Sequence, residues 1–355
     1  MAKRAGIGVL VLLLVALGAA AFFQRQIGEA VFDRAAAARF AGEGLAFGDG
    51  LHLLLCGTGS PLPNASRAGP CSVVIAGEQA YVVDIGEGGA RNLNLMQFDI
   101  AGIDALLLTH FHSDHIDGMG PLALLYWTMG TATQPLPVHG PTGIEAVIEG
   151  FNAFYAADMQ YRIAHHGTEI VPESGGGAQP FPFALADTPV TVIERAGLTV
   201  TAFRVDHDPV RPAVGYRFDY KGRSIVISGD AAKTPALERA ARGADILVHD
   251  ALQPRLVGSI TGALDEAGIA NTAQITRDIL DYHASPEEAA ASAQAAGARM
   301  LVLSHLVPPL PSSLFYPAFL GDAAGNFDGE IVVGEDGMLF SLPAETETID
   351  RDKVL

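Results

Sequence analysis

Short apolar runs recur along this chain at residues 51–55, 72–75, 80–83, 105–108, 199–203, 224–228, 246–248 and 300–303. Each is four to eight residues or shorter and is bounded by Gly, Pro, Asp or Asn, the pattern of buried strands. Between them lie longer stretches with helical signals at 116–129, 143–156, 235–242 and Pro286–Ala296. Pro235 and Pro286 suit first-turn positions, and Ser285-Pro286-Glu287-Glu288 reads as a capping box. Strands alternating with helices predict a layered α/β arrangement. Glu330–Val333 and residues 338–342, around Glu335-Asp336-Gly337, read as a closing hairpin, and residues 174–180 (Ser-Gly-Gly-Gly-Ala-Gln-Pro) as a flexible surface loop. No repeat of solenoid period occurs.

The beginning of the chain follows a different pattern. Lys3-Arg4 precede an uncharged run from Ala5 to Phe23. A positive start before an apolar run is an export signal, either cleaved near Ala19-Ala20-Ala21 or retained as an anchor. The expected division is therefore a signal peptide or membrane anchor at 1–24, a linker or helix at 25–48, a catalytic domain at 49–343 and a tail at 344–355. The expected location is extracytoplasmic: periplasmic, or anchored in the inner membrane facing the periplasm, with membrane contact through residues 5–23 if the segment is uncleaved.

Composition narrows the function classes. The chain has 355 residues, 22 Lys+Arg against 40 Asp+Glu, and a formal net charge of −18. Proteins that grip nucleic-acid phosphates usually carry a basic surface instead. Two cysteines exclude a disulfide-built scaffold and a cysteine-rich metal module. Cys56 and Cys71, at the end of one strand and the start of the next, could pair in an oxidising compartment, but the first reading is two buried thiols.

Candidate chemistry gathers at strand ends. His110-Phe111-His112-Ser113-Asp114-His115 follows the run 105–108. Three histidines and an aspartate in six residues form a dense imidazole and carboxylate set suited to zinc. In an extended segment His110 and His112 point the same way, while Asp114 and His115 at the turn point elsewhere and can hold a second ion. His207, Asp230 and His305 each follow a later strand, where α/β sheets collect their sites. His110, His112 and His207 would complete one set; Asp114, His115 and His305 another, with Asp230 bridging. Two Zn²⁺ (or Mn²⁺ or Fe²⁺), two carboxylates and a hydroxide would leave a formal +1, suited to a monoanionic ester.

His110-x-His112-x-Asp114-His115, followed by His207, Asp230 and His305, resembles the metallo-β-lactamase superfamily. Cys56-Gly57-Thr58-Gly59-Ser60-Pro61, Arg67-x-Gly69-Pro70 and Val83-Asp84-Ile85-Gly86-Glu87-Gly88 resemble the branch of ribonuclease Z, phosphodiesterases and zinc arylsulfatases. So do Val138-His139-Gly140-Pro141, His249-Asp250-Ala251 and His283-x-Ser285. The resemblance implies an αββα sandwich with a dinuclear centre at the shared edge of two sheets. It also implies that Asp84 orients a ligand loop, that a metal-bridging hydroxide attacks the ester, and that His283, held by Asp250, steadies the transition-state oxyanion or protonates the leaving group.

Two departures shape the expected substrate. The long arm that grips tRNA in ribonuclease Z would lie between His207 and Asp230, and here that interval is short and filled by one hairpin around Lys221-Gly222. The family's His-Glu-Ala-Thr stands here as His249-Asp250-Ala251-Leu252, so its carboxylate is one methylene shorter and its reach to His283 is in question. The reading favours a hydrolase of small anionic esters, phosphodiester or aryl sulfate, with no tRNA expected and Arg67 as a further cleft donor. The alternatives are a ribonuclease Z-like endoribonuclease, a lactonase or β-lactam-type hydrolase, and a tethered metal-binding scaffold; a homodimer stays open.

Overall fold

The computed structural model describes residue 8, residues 20–41 and residues 44–355. Most of the apolar run 5–23, with its export-signal reading, lies outside the described residues. Among the described residues, no helix is long and apolar enough to cross a membrane. The chain divides into two units, Met1–Ala46 and Phe47–Leu355. The first contains the helix α1 (Gln24–Ala41), which buries none of its side chains and carries an Arg25–Glu29 pair one turn apart.

The second unit is a two-sheet sandwich. Its first sheet is built from β1 (Gly50–Gly57), β2 (Cys71–Ala76), β3 (Gln79–Val83), β4 (Ala105–Leu107), β5 (Leu136–Pro141) and β6 (Ala178–Phe183). The second sheet holds β7 (Val190–Arg195), β8 (Leu198–Arg204), β9 (Val214–Tyr220), β10 (Arg223–Ile227), β11 (Ile246–Leu252), β12 (Met300–Val307) and β13 (Glu330–Val333). The chain then returns to the first sheet with β14 (Met338–Pro343) and β15 (Asp350–Lys353). The strand orders are 15-14-1-2-3-4-5-6 and 13-12-11-10-9-8-7.

Alternation explains why the predicted runs are apolar throughout. On β10 and β11, Ile225, Ile227, Ile246 and Val248 face the core between the sheets, with Leu53, Val74 and Leu107 of the first sheet. Their neighbours Val226 and Leu247 face outward, under the alanine-rich helix Pro286–Ala296. A strand covered on both faces has no polar position, so it reads as a continuous run. Each such side chain contributes about 1.5–3 kcal/mol when fully buried. That helix starts where expected: the Ser285 hydroxyl accepts from the Glu288 amide, and the Glu288 carboxylate accepts from the Ser285 amide.

Three expectations change. The hairpin at 330–342 does not form, because β13 pairs in parallel with β12 while β14 pairs antiparallel with β1 in the other sheet. Asp336 anchors the crossing between them. Residues 174–180 are not a loose loop: Gly175 and Gly177 are buried, and β6 begins at Ala178. Its glycines are there for close approach, since a Cβ on Gly175 would lie 1.7 Å from the Ala132 carbonyl oxygen. Finally, Cys56 and Cys71 form a disulfide. They sit where β1 and β2 separate, with Cys71 opposite Gly57 in the ladder, so the antiparallel pairing brings them side by side. Within residues 344–355, β15 adds an edge strand beside β14.

Candidate metal centre

The ends of β4, β8, β10 and β12 converge, and each carries part of the cluster. β4 leads into the segment Thr109–His112, and the short helix Ser113–Ile116 carries Asp114 and His115. His207 follows β8, Asp230 follows β10, and His305 lies within β12 at a left-handed φ of 47°. Such a backbone is strained for a histidine, and strain of this kind persists only where surrounding structure enforces it. Asp230 turns inward through Gly229, which has φ 63° and leaves no room for a Cβ, 2.9 Å from Thr109 Cβ.

All seven predicted side chains meet. His110, His112, His207 and Asp230 place ligand atoms within 4.8 Å of one another, as do Asp114, His115 and His305. Asp230 Oδ2 sits between the sets, 3.9 Å from His110 Nε2 and 3.8 Å from His207 Nε2 on one side. On the other side it lies 3.3 Å from both His115 Nε2 and His305 Nε2. Asp114 Oδ2 is 3.3 Å from His305 Nε2 and 3.6 Å from His115 Nε2.

Neighbours set which ring nitrogen faces inward. The His115 Nδ1–H donates to Asp84 Oδ2 at 2.8 Å, while Asp84 also accepts from the Thr109 amide and hydroxyl. His110 Nδ1–H donates to that same hydroxyl at 3.0 Å, and His207 Nδ1–H to the Tyr282 carbonyl at 3.0 Å. In each case Nε2 is left bare toward the cluster, the arrangement typical of ligating imidazoles. Asp84, at φ 55°, thus orients the loop without joining the cluster.

The donor set fits divalent ions. His110 Nε2, His115 Nε2, Asp230 Oδ1 and His305 Nδ1 are buried and have no hydrogen-bond partner. Orphaned buried polar atoms of this kind are rare and call for an occupant. Burial pushes the His110, His112 and His207 imidazoles below their ordinary range, so they stay neutral. Burial also opposes charge on His115 and His305, but the Asp230 carboxylate outweighs it and holds both above that range. Asp230 is correspondingly held well below the carboxylate range, against its own burial, by His305 and His115. A divalent cation held there would supply that positive charge in place of protons and bind the neutral imidazoles.

Beside the cluster, His283 Nδ1–H donates to Asp250 Oδ2 at 2.7 Å. The shorter carboxylate therefore reaches, contrary to the concern raised by its missing methylene. Burial alone would push the Asp250 carboxyl up, but hydrogen bonds from His249 and His283 hold it below its ordinary value. A ring nitrogen of His283 lies within 4.8 Å of ligand atoms on Asp230 and His305. Arg67, expected as a cleft donor, is engaged within the protein. It is bound to Thr58 Oγ1 at 2.5 Å, to the Gly334 carbonyl, and to the Tyr316 hydroxyl at 2.8 Å. Tyr282 and Thr109 were not foreseen: one acts through a backbone carbonyl, and the other resembles any strand-end threonine.

The Beta-lactamase superfamily domain matches residues 83–306, spanning the whole cluster. The chain is a metallo-β-lactamase superfamily member of the ribonuclease Z branch. It is a metal-dependent hydrolase. It is 37% identical over 289 residues to the ribonuclease Z of Mycobacterium bovis, covering 81% of this chain and 96% of that one. A ribonuclease Z of Mycobacterium tuberculosis is 35% identical over the same shares of both chains. The fold is similar to the short form of human tRNase Z, with TM-score 0.57, 21% identity and 82% of this chain covered against 99% of that one. It is likewise similar to the metallo-β-lactamase fold protein YhfI of Bacillus subtilis, with TM-score 0.59, 20% identity and coverage of 82% and 100%.

Proposed function

We propose that this superfamily member is a two-metal phosphodiesterase of ribonuclease Z type, acting on the phosphodiester bond of an RNA chain. One observation carries the two-metal reading: a single oxygen, Asp230 Oδ2, stands between two imidazole sets at 3.3 to 3.9 Å. His110, His112 and His207 would hold one divalent ion, Asp114, His115 and His305 the other, with Asp230 shared; zinc suits the donors best. Such ions supply Lewis acidity to phosphoryl oxygens and lower the pKa of an attacking water.

The chain's own groups do the rest. Asp84 and the Tyr282 carbonyl keep His115 and His207 in the ligating tautomer. Asp250 holds the His283 Nδ1–H and its negative charge stabilises the imidazolium, whose second proton, on Nε2, would pass to the leaving oxygen and leave the neutral ring.

The RNA reading rests on the relatives named ribonuclease Z, and it revises the expectation of small esters without tRNA. The alignment with the Mycobacterium bovis relative takes in 96% of that protein's length, so the likeness extends over nearly the whole of it. A second reading, a phosphodiesterase of small diesters, is favoured by the net charge of −18. The proposed location is extracytoplasmic, supported by Lys3-Arg4 before the run 5–23 and by the Cys56–Cys71 pairing, since structural disulfides belong to oxidising compartments.

The test compares full-length protein on a single-stranded RNA, a tRNA precursor and bis(p-nitrophenyl) phosphate, with and without chelator. Chelator-sensitive cleavage of an RNA supports the proposal. Hydrolysis of the small diester alone moves the assignment to the second reading.

A further inference from the structure

In so acidic a domain, most cations are neutralised by a neighbouring carboxylate. Arg195 pairs with Asp104 at 2.6 Å, Arg211 with Asp208 at 2.8 Å, Arg217 with Asp219 at 2.8 Å, and Lys233 with Glu238 at 2.9 Å. Among the described residues, Arg204 and Arg239 have no carboxylate at ion-pair distance, and both are exposed. Arg91, Arg242 and Arg255 likewise have no such partner among the described residues, but Arg204 and Arg239 share one site. Together with Arg211 they line one open cavity of about 570 Å³, formed by residues 187–189, the end of β8, the segment 205–213 and the helix Pro235–Ala240, whose last turn carries Arg239.

Two features tie this cavity to the hydrolytic site. His207, one of the cluster's imidazoles, is part of its wall. Its lining also includes the apolar Phe203, Val205 and Ala213, which belong to the core cluster beneath. A cationic rim over an apolar floor suits a phosphodiester chain, whose phosphates need arginine and whose bases and sugars present apolar faces. The volume lies within the usual range for small-ligand sites, which fits a nucleotide or two and not a folded RNA. Asp187 and Asp206 also line the cavity, so it is not uniformly basic.

We infer that this cavity is a substrate subsite, in which Arg204 and Arg239 bind phosphates of a single-stranded polynucleotide flanking the scissile bond. The inference rests on the RNA reading of the cluster and adds where the rest of the chain lies. The subsite supplies phosphate contacts that a protein without a tRNA-gripping arm needs from its body. It also gives a role to two exposed cations without a carboxylate partner in a chain of net charge −18.

The test uses the full chain and the double variant Arg204→Ala/Arg239→Ala, assayed on a ten-nucleotide single-stranded RNA and on bis(p-nitrophenyl) phosphate across a salt series. The double variant should raise KM for the RNA about tenfold and leave turnover of the small diester unchanged. Its slope of log(1/KM) against log salt should become shallower by about 1.4, since each lost single-strand phosphate contact removes roughly 0.7. An unchanged KM and slope on an RNA that the parent cleaves would overturn the subsite alone. Equal losses on both substrates would also overturn it, because the arginines would then serve the fold. A parent protein that hydrolyses the small diester but leaves the RNA intact would overturn the RNA reading along with the subsite.

Discussion

Two buried aspartates occupy comparable places in this domain, each at a junction where loops from several strands meet, and their surroundings are opposite. Asp336, between β13 and β14, has both oxygens satisfied: Oδ1 accepts from the Thr58 amide and hydroxyl at 2.9 and 2.7 Å, Oδ2 from the Ala68 amide and Asn92 Nδ2 at 2.7 and 2.9 Å. Asp230 has one oxygen with no partner and the other at 3.3 to 3.9 Å from four imidazoles. Asp336 is complete in the protein alone, so it ties the Thr58–Ala68 loop to the crossing between the sheets. Asp230 is complete only with an occupant. A buried charge among its donors stabilises a fold, whereas one among bare lone pairs marks a site.

The contrast is broken most severely at Asp230. Asp230→Ala should lower kcat/KM on bis(p-nitrophenyl) phosphate by about 10⁴-fold, roughly 5 kcal/mol of transition-state stabilisation. The same change should abolish the drop in thermal stability that a chelator causes in the parent, because a ligand that binds only the folded state stabilises it by mass action. Denaturation scans with and without chelator check this.

Asp336→Ala should behave in the opposite way. It leaves the Thr58 and Ala68 amides and Asn92 without their acceptor, at a cost of about 3 kcal/mol measured by urea unfolding. The chelator response should survive. If Asp336→Ala loses that response while Asp230→Ala keeps it, the two carboxylates have been assigned the wrong way round.

A smaller effect is expected where both kinds of contact meet. His283 lies beside the cluster, yet its Nδ1–H is satisfied by Asp250. His283→Ala should lower kcat about 10²-fold on diesters with poor leaving groups and much less on nitrophenyl esters, which leave without a proton. Equal losses on a leaving-group series would remove the acid role.

How much of this was legible in the sequence follows from the same contrast. The candidate ligands were legible because metal chemistry demands donors such as His and Asp, the α/β fold gathers them at strand ends, and all seven side chains converge. Strands buried on both faces, such as β10 and β11, were legible as unbroken apolar runs. Edge elements were not: β6 and β7 consist mostly of exposed and half-buried positions, and the prolines in β6 and the glycines just before it imitate a loop. The supposed hairpin at 330–342 failed because turn residues at Glu335-Asp336-Gly337 also suit a crossing between sheets, and only pairing partners decide. The disulfide was missed because two strand-end cysteines pair or not according to register. Backbone contributions such as the Tyr282 carbonyl leave no trace in side-chain chemistry.

The smallest expected effect lies away from the cluster, at a third satisfied carboxylate. Burial pushes the Asp245 carboxyl up, but Arg223, the Ser224 amide and Arg299 outweigh it and hold its pKa below the ordinary value. A carboxylate with a depressed folded-state pKa stabilises the protein above its unfolded-state value, and that stability is lost as pH falls through the folded one. Asp245→Asn should thus cost about 2 kcal/mol at neutral pH, narrowing toward the parent below about pH 4. A constant difference across urea titrations from pH 7 to pH 3 would contradict the sign.

The most direct test of the central claim is a zinc titration of metal-free, full-length protein, reading bound metal per chain and hydrolysis of bis(p-nitrophenyl) phosphate together. The two imidazole sets around Asp230 predict binding that saturates at two ions per chain, with activity appearing as the pair is completed and neither seen in Asp230→Ala. Full activity in the metal-free protein, or saturation at a single ion with full activity, would contradict it.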